Sequence, residues 1–299
     1  MEIVVNFEAI KHGKMHPLVS VICICHNHQR FVKEAILSVL EQTYQNIQLI
    51  IIDVASTDGS VEEIKRILKG RGDVQCLFLK ENIGHCAAFN RALLLSNGDF
   101  VIDLAADDIL LPDRVALGVH DLLTSGEEYG VSFSNAARVD EEGEFIAYHY
   151  KVGDNGTALQ HVPQGDVFEE VIKRYFICSP TMLFRKKVID ELSGYDDTLL
   201  YEDFDFWVRS SRIYKYVYRD MVLVKKRVVK NSASQRQFRI RSKYQYSTYQ
   251  VCRKIVALVR TSAEKEALKK RLKYEVTMAI RLLQPSLAVK YLRLLKSLN

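Results

Sequence analysis

Short apolar runs alternate with amphipathic segments through the first 120 residues. Continuous runs rich in β-branched residues are typical of strands buried on both faces, and they predict strands at 19–25, 47–52, 74–79 and 100–104. Between them, apolar residues recur every three or four positions, which predicts helices at about 29–41, 60–68, 84–96 and 112–123. The second of these helices opens on Ser60-Val-Glu-Glu63, which fits a capping box. This order predicts an α/β fold, with a Rossmann-like, mostly parallel sheet and helices on both faces.

Beyond Gly130 the pattern changes to shorter strands with helices between them. Strands are predicted at 131–133, 138–148, 181–184, 214–218 and 222–229, and helices at about 167–175 and 202–212. The segment 138–148 is expected to be a hairpin that turns at Glu142-Gly143. After residue 231 the pattern is helical to the end, apart from a break at Pro285. We therefore predict a leader at 1–17, an α/β domain at 18–228 and a basic helical C-terminal extension at 229–299.

The composition is ordinary for a folded protein, but the charge is unevenly distributed. Hydrophobic residues make up 48% and charged residues 26% of the 299, which excludes collagen-like, low-complexity and wholly disordered chains. The net charge of +5 divides into −12 for residues 1–224 and +17 for residues 225–299, where 20 Lys and Arg stand against 3 acids. This asymmetry predicts an acidic body and a basic extension with a separate role.

Sequence features also favour a cytoplasmic protein. No apolar stretch approaches the roughly 18 residues that a membrane-spanning helix needs. The first twenty residues contain an early acid and no long apolar segment, so we predict no secretory signal. The six cysteines show no CxxC spacing, which argues against disulfides and a zinc site.

Polar residues follow each of the four predicted parallel strands. They are His26-Asn27, Asp53, the loop from Glu81 to Gly84, and Asp107-Asp108. Because the carboxyl ends of parallel strands share one edge of the sheet, these side chains are expected to line a ligand crevice. A single aspartate at a strand end can instead cap the following turn, but four polar strand ends in register favour the crevice.

The pair Asp107-Asp108 is the sharpest of these features. Two adjacent carboxylates repel each other, and hard divalent ions such as Mg²⁺ and Mn²⁺ bind carboxylate oxygens together with substrate phosphates. The alternative is an acid pair that serves only the positive end of the helix that begins near Pro112. The residues by themselves leave both interpretations open.

Three segments together resemble the inverting family 2 glycosyltransferases of GT-A fold. They read PLVSVICICHNHQRFVKEAILSVLEQTYQNIQLIIIDVASTDGS, ENIGHCAAFNRALLLSNGDFVIDLAADDILLPDR and LLYEDFDFWVRSSR, and they cover residues 17–212. The resemblance implies that 18–228 is a GT-A domain that transfers a sugar from a nucleotide-diphosphate donor, with a UDP-sugar preferred. It implies a hydroxyl of a saccharide or a lipid-linked molecule as acceptor, and a role in surface polysaccharide synthesis.

The resemblance also assigns roles to individual residues. It implies that the nucleotide sugar is bound by Cys25, His26, Asn27, Asp53, Asn82, Gly84, Asn90 and Asp107, the last against the ribose or the metal. Asp108 would ligate Mn²⁺ or Mg²⁺, Asp203 would be the general base, and Glu202 would support it. A base at Asp203 suits the chemistry, because the acceptor hydroxyl must lose its proton as it attacks the sugar carbon. Two acids in a first helical turn also commonly serve only the helix dipole.

The sequence departs from the family pattern at three places. Val54 stands where a second acid often follows Asp53, and Ala105 stands where the strand-four motif usually begins with an aspartate. The segment after the last predicted strand contains no histidine, so a third metal ligand from it is doubtful. Arg227 or Lys230 is an alternative contact for phosphate there.

Two other functions compete with this prediction. A non-catalytic, glycosyltransferase-like binding subunit is compatible with Val54 and Ala105. A sugar nucleotidyltransferase would need a glycine-rich loop after the first strand, and His26-Asn-His-Gln-Arg30 contains no glycine.

The basic extension at 229–299 has several candidate partners. It could bind an anionic membrane from the cytoplasmic side, pack on the body, or contribute to a homodimer. Nucleic acid is not expected, since no known module is present.

Overall fold

A parallel sheet forms the first half of the fold, in a computed structural model that describes residues 16–230 and 232–298. The strands β1 (Val19–Cys25), β2 (Ile47–Asp53), β3 (Gln75–Phe78) and β4 (Phe100–Ala105) lie in the order β3-β2-β1-β4. All three pairings are parallel. Because β1 is central, both its faces are covered and all seven of its residues are buried.

The connections are the predicted helices, mostly shorter than expected. They are α1 (Val32–Leu40), α2 (Ser60–Ile67), α3 (His85–Leu93) and, after the short β5 (Ile109–Leu110), α4 (Arg114–Ser125). The capping box at Ser60 is wrong, because Ser60 is the first helical residue and its hydroxyl donates to Asp58 at 2.5 Å. The N-cap position belongs to Gly59, which offers no side chain.

The second half of the sheet mixes directions. It contains β6 (Tyr129–Val139), β7 (Phe145–Tyr148), β8 (Leu183–Arg185) and β9 (Lys215–Arg227), and continues the order as β4-β8-β6-β9-β5 with β7 on β6. The β6–β9 pair is parallel, whereas β8 pairs antiparallel with both β4 and β6. The predicted α/β fold is confirmed, and the hairpin at Glu142-Gly143 joins β6 to β7. The helices α5 (Phe168–Lys173), α6 (Lys186–Glu191) and α7 (Asp203–Ser211) cover this half.

The C-terminal extension is helical, as predicted, and packs on the body. It consists of α8 (Ala233–Gln237), α9 (Tyr244–Leu258), α10 (Ser262–Arg281) and α11 (Pro285–Ser297). A capping box does occur here, between Thr261 and Glu264. Glu264 also accepts from Arg212 at 2.7 Å, which ties α10 to the end of α7. Among the described residues, no helix is long and apolar enough to cross a membrane.

The predicted segment boundaries remain predictions. Most of the leader at 1–17 lies outside the described residues.

Candidate functional site

The ends of β1, β2 and β3 are joined by side-chain hydrogen bonds. Nδ1 of His26 donates to the carbonyl oxygen of Val54 at 2.8 Å, because a carbonyl can only accept. Nε2 of the same ring therefore accepts from the side-chain amide of Asn82, 3.1 Å away. The amide oxygen of Asn27 accepts from the N–H of Thr57 at 2.7 Å. His26 and Asn27, predicted at the end of β1, and Asn82, predicted in the loop after β3, thus lie at one edge of the sheet.

Asp53 and Cys25 are more enclosed than their predicted contact with a nucleotide would suggest. The carboxylate of Asp53 is buried and accepts from the N–H and the hydroxyl of Ser56, at 2.9 and 2.5 Å. The thiol of Cys25 is fully buried, and burial raises its pKa to about 12. A thiol with that pKa stays protonated at neutral pH and is no nucleophile. Val54, in place of the acid common in the family, is 2% exposed and packs in the core.

Gly84 and Asn90 both have structural roles in the fold. Gly84 precedes α3 with φ of +81°, a conformation that suits glycine, and its N–H donates to the side chain of Asn82 at 2.9 Å. The side chain of Asn90 donates to the carbonyl oxygen of Tyr195 and accepts from its N–H, both at 2.8 Å. Asn90 therefore braces the loop that leads toward α7, and its predicted donor contact remains a prediction.

The two carboxylates that follow β4 are in different environments. Asp108 is 4% exposed, and its Oδ1 accepts from the backbone N–H of Arg227 at 2.8 Å. Burial and the charge of Asp107 raise the pKa of Asp108 to about 8. Asp107 is more open, and its Oδ2 lies 3.9 Å from Nε2 of His28. A buried carboxyl held beside a second one is an arrangement that a divalent cation stabilises.

Arg227 of β9, which the sequence suggested as a contact for phosphate, is bound within the protein instead. The guanidinium of Arg227 donates to the carbonyl oxygens of Asp107, Asp140 and Glu141 at 3.1–3.2 Å. It also pairs with Glu34 at 2.6 Å, so its donors are already engaged by the protein.

Lys226 is a cation near the acids that sequence reasoning missed. The neighbouring Cys178 and the carboxylates of Asp108, Asp203 and Asp107 raise the pKa of Lys226 against the effect of burial. The signal available in the sequence was its place in the segment Lys225-Lys-Arg227, but nothing there showed which of these cations faces the acids.

The predicted base lies at the start of α7. Asp203 is the first residue of that helix, and its Oδ2 accepts from the hydroxyl of Ser179 at 2.5 Å. Two residues further, the buried Asp205 pairs with Arg209 and with Lys254 of α9, each at 2.6 Å. These ion pairs anchor the helix that carries Asp203.

A third group of polar side chains adjoins this helix. Nε2 of His85 donates to Oδ2 of Asp103 at 2.9 Å and lies 3.8 Å from Oε2 of Glu202. One nitrogen of His85 and one carboxylate oxygen each of Asp103 and Glu202 lie within 4.8 Å of one another. Imidazole nitrogens and carboxylate oxygens can also bind a metal ion. Sequence reasoning missed His85 and Asp103, although an aspartate inside the apolar run of β4 was a signal.

Solved structures that share this fold include two with a bound nucleotide sugar. TarS 1-349 of S. aureus, in complex with UDP-GlcNAc, aligns with a TM-score of 0.69 at 15% identity, covering 94% of this chain and 80% of that one. Mannosyltransferase PcManGT from Pyrobaculum calidifontis, in complex with GDP-Man and Mn²⁺, aligns with a TM-score of 0.61 at 17% identity, covering 95% and 75%. At these identities the likeness shows the fold, and the predicted GT-A type is confirmed.

Curated relatives extend over most of this chain. An uncharacterized glycosyltransferase of Methanocaldococcus jannaschii is 29% identical over 223 residues, which is 71% of each chain. Uncharacterized glycosyltransferases of Rickettsia typhi and Rickettsia bellii are 26% and 28% identical over 73% of this chain. The matches span 66% and 31% of those two relatives, so the chain covers less than two thirds of their length.

The family model described as "Glycosyl transferase family 2" matches residues 20–193, more than half of the chain. The match includes the polar ends of β1, β2 and β4, and Asp203 lies ten residues beyond it. Together with the GT-A sheet and the polar edge that its strands form, the match shows that the chain belongs to glycosyl transferase family 2.

Proposed function

We propose that this protein is an inverting, metal-dependent glycosyltransferase. It moves a sugar from a nucleotide-diphosphate donor, UDP-sugar first, to a hydroxyl of a saccharide or lipid-linked acceptor. The observation that carries the proposal is the meeting of three sets of groups at one edge of the sheet. They are the His26–Asn82 pair, the carboxylates of Asp107 and Asp108, and Asp203 at the start of α7. The nucleotide sugars in TarS and PcManGT support a donor of this class.

Asp107 and Asp108 fit a divalent ion. Burial and the neighbouring carboxylate raise the pKa of Asp108 to about 8. A dication would offset both the cost of burying the charged carboxylate and the repulsion between the two acids. Asp108, with Asp107 beside it, would hold Mn²⁺ or Mg²⁺, and the ion would supply positive charge at the departing diphosphate. Lys226 adds a positive charge on the same side, which would also stabilise the departing diphosphate.

Asp203 removes the proton from the acceptor hydroxyl. Its second oxygen is held by the hydroxyl of Ser179, which fixes the plane of the carboxylate. The other oxygen is left to accept the proton while the hydroxyl attacks the sugar carbon opposite the diphosphate. A single displacement of this kind inverts the anomeric centre.

We infer that the C-terminal extension binds the inner face of the membrane. By their helical spacing, Val289, Leu292, Arg293 and Lys296 share one face of α11, and all four are exposed. Apolar residues beside cations on a helix suit the interface of an anionic bilayer. A cytoplasmic, peripheral enzyme with this contact would reach lipid-linked acceptors and act in polysaccharide synthesis.

A thermal-shift screen of nucleotide sugars tests the proposal. UDP with Mn²⁺ should raise the melting temperature by several degrees, because a ligand that binds only the folded state stabilises it. Asp108→Ala should abolish the shift. Asp73→Ala, at an exposed acid just before β3 and so away from the carboxyl ends of the strands, should retain it. No shift with any nucleotide diphosphate in the presence of metal would contradict donor binding.

The same preparation distinguishes the alternative functions. A non-catalytic binding subunit would show the shift but neither hydrolyse nor transfer the donor sugar. A nucleotidyltransferase would join a sugar phosphate to a nucleoside triphosphate and release pyrophosphate from the triphosphate. The proposed enzyme releases a nucleoside diphosphate.

A further inference from the structure

The group formed by His85, Asp103 and Glu202 joins three separate elements next to Asp203. His85 is the first residue of α3, Asp103 lies in β4, and Glu202 is the N-cap residue of α7. One ring nitrogen, Nε2 of His85, faces both carboxylates, at 2.9 and 3.8 Å. The side chains of His85, Asp103 and Glu202 are 30%, 10% and 16% exposed, so water screens the charges of the group in part.

The charges of this group favour a protonated ring. Burial acts to lower the pKa of His85, but the charges of Asp103 and Glu202 outweigh it and raise that pKa to about 10. Burial and the charges of Asp203 and Asp103 raise the pKa of Glu202 above its usual range, although the charge of His85 acts to lower it. An imidazolium between two carboxylates therefore keeps Glu202 charged more readily than burial alone would allow.

Three other titratable groups near the ring are Asp203, Tyr195 and Cys86, and of these only Asp203 adds to the same effect. Asp203 adds a further negative charge that raises the pKa of His85. From the neighbouring loop comes Tyr195, and from α3 comes Cys86. Burial, with the nearby carboxylates, raises the pKa of both side chains, so they are neutral. The hydroxyl of Tyr195 and Oδ1 of Asp103 are both buried, and the carboxylate of Asp103 also acts on the pKa of Tyr195.

We propose that His85 is a positioning residue, whose imidazolium holds the Glu202 carboxylate and thereby fixes the start of α7 and the adjacent Asp203. This inference rests on the proposed function, since Asp203 is its base. His85 acts on the position of Asp203 through Glu202 and the start of α7. Replacing His85 therefore displaces the base without removing it. A metal ion at the same three groups is the competing occupant, and it would first have to displace the ring proton.

The ionisation of His85 is measurable without any activity. In protein labelled with ¹³C at histidine, one of eight ring signals should titrate far above the ordinary range, and it should be absent from His85→Gln. In Asp103→Asn this signal should titrate at lower pH, because one of the two carboxylates has lost its charge. A ring that titrates near pH 6.5 in the wild type, or a signal that Mn²⁺ or Zn²⁺ shifts in Asp108→Ala, would overturn the proposal.

Kinetics then test the positioning role. His85→Gln should lower kcat by up to about 100-fold, as expected when a catalytic group is misplaced, with the donor KM within about twofold. It should also move the acidic limb of the kcat profile to higher pH, because Glu202 without the imidazolium is protonated more readily. His85→Lys, which keeps the charge, should restore the position of that limb.

The control variant is His120→Gln on α4, which should leave both kcat and the pH profile as in the wild type. If His85→Gln lowers stability but leaves the acidic limb in place, the role of His85 is only structural. If the wild type transfers no sugar, the proposed function fails, and the titration of His85 still decides the state of the ring.

Discussion

The hydroxyl of Ser179 donates to Oδ2 of Asp203 at 2.5 Å, across the gap between the turn before β8 and the start of α7. A hydroxyl that donates to one oxygen leaves the other as the proton acceptor and stabilises the charged carboxylate. We therefore predict that Asp203→Asn keeps UDP and Mn²⁺ binding, measured by thermal shift, while turnover falls roughly 10²–10⁴-fold.

Ser179→Ala provides the matched test of the same hydrogen bond. Without the donor, Asp203 keeps its charge but loses its fixed orientation, so kcat should fall less than in Asp203→Asn. Turnover equal to wild type in Asp203→Asn would rule Asp203 out as the base.

Asp108→Asn should separate stability from function. The folded-state pKa of Asp108 lies near 8, above its usual value, so the folded protein without ligand holds the proton more tightly than the unfolded chain. Its stability should therefore decline as pH rises from about 4 toward 8, and Asp108→Asn should remove that part of the decline.

The measurement is the melting temperature as a function of pH, with and without UDP and Mn²⁺. At pH 8 and without ligand, the melting temperature of Asp108→Asn should equal or exceed that of the wild type. Only the wild type should melt at a higher temperature when UDP and Mn²⁺ are added. A variant that gains as much from UDP and Mn²⁺ as the wild type does would exclude Asp108 as a metal ligand.

The parallel half of the sheet was predictable because its strands are continuous apolar runs. β1 and β2 are buried on both faces, and burial of that kind leaves a direct mark on the sequence. β6 and β9 were each divided in two by the prediction, although each is one long strand. Their register shifts between Ser134 and Ala136, and the partly exposed stretch of β9 interrupts the apolar pattern.

Polar groups at the strand ends were predictable for a related reason, since topology alone brings them to one edge. The partners of His85 could not be predicted, because Asp103 is 18 residues away along the chain and Glu202 is more than a hundred residues away. Their meeting depends on how α3 and α7 pack over β4, which periodicity does not specify. The buried state of Arg227 likewise depends on Glu34 in α1, far away along the chain.

Arg271 and Glu275 of α10 form an ion pair that the sequence shows only as an ordinary i, i+4 pair. Both side chains are 3% exposed, Nε lies 2.7 Å from Oε1, and the guanidinium lies over the rings of Tyr175 and Phe204. Burial raises the pKa of Glu275, and the charge of Arg271 opposes that rise.

Breaking this pair should therefore be costly. Arg271→Met leaves a buried carboxylate unpaired, and we expect it to lower the free energy of unfolding by about 3–5 kcal/mol. The double variant Arg271→Met/Glu275→Leu should recover most of that loss. Urea unfolding measures both, and a double variant no more stable than the single one would show that the ring contacts of Arg271 matter more than charge pairing.

Arg293 and Lys296 on α11 test the membrane contact of the C-terminal extension. Both are exposed, and on a helix they lie beside the exposed Val289 and Leu292. Vesicles that contain phosphatidylglycerol should bind the wild type, and binding should weaken with added salt, since the charges are screened. Arg293→Gln/Lys296→Gln should lower the partition coefficient roughly fivefold for each charge removed.

Two controls identify the source of that binding. Lys65→Gln/Lys69→Gln removes the same charge from the α2 region of the body, and it should leave vesicle binding close to that of the wild type. Leu292→Ser should also weaken binding, but with the salt dependence retained, because apolar insertion and charge contribute separately. Equal loss in both charge pairs would mean that net charge alone directs the protein to vesicles, and that α11 has no special part in the contact.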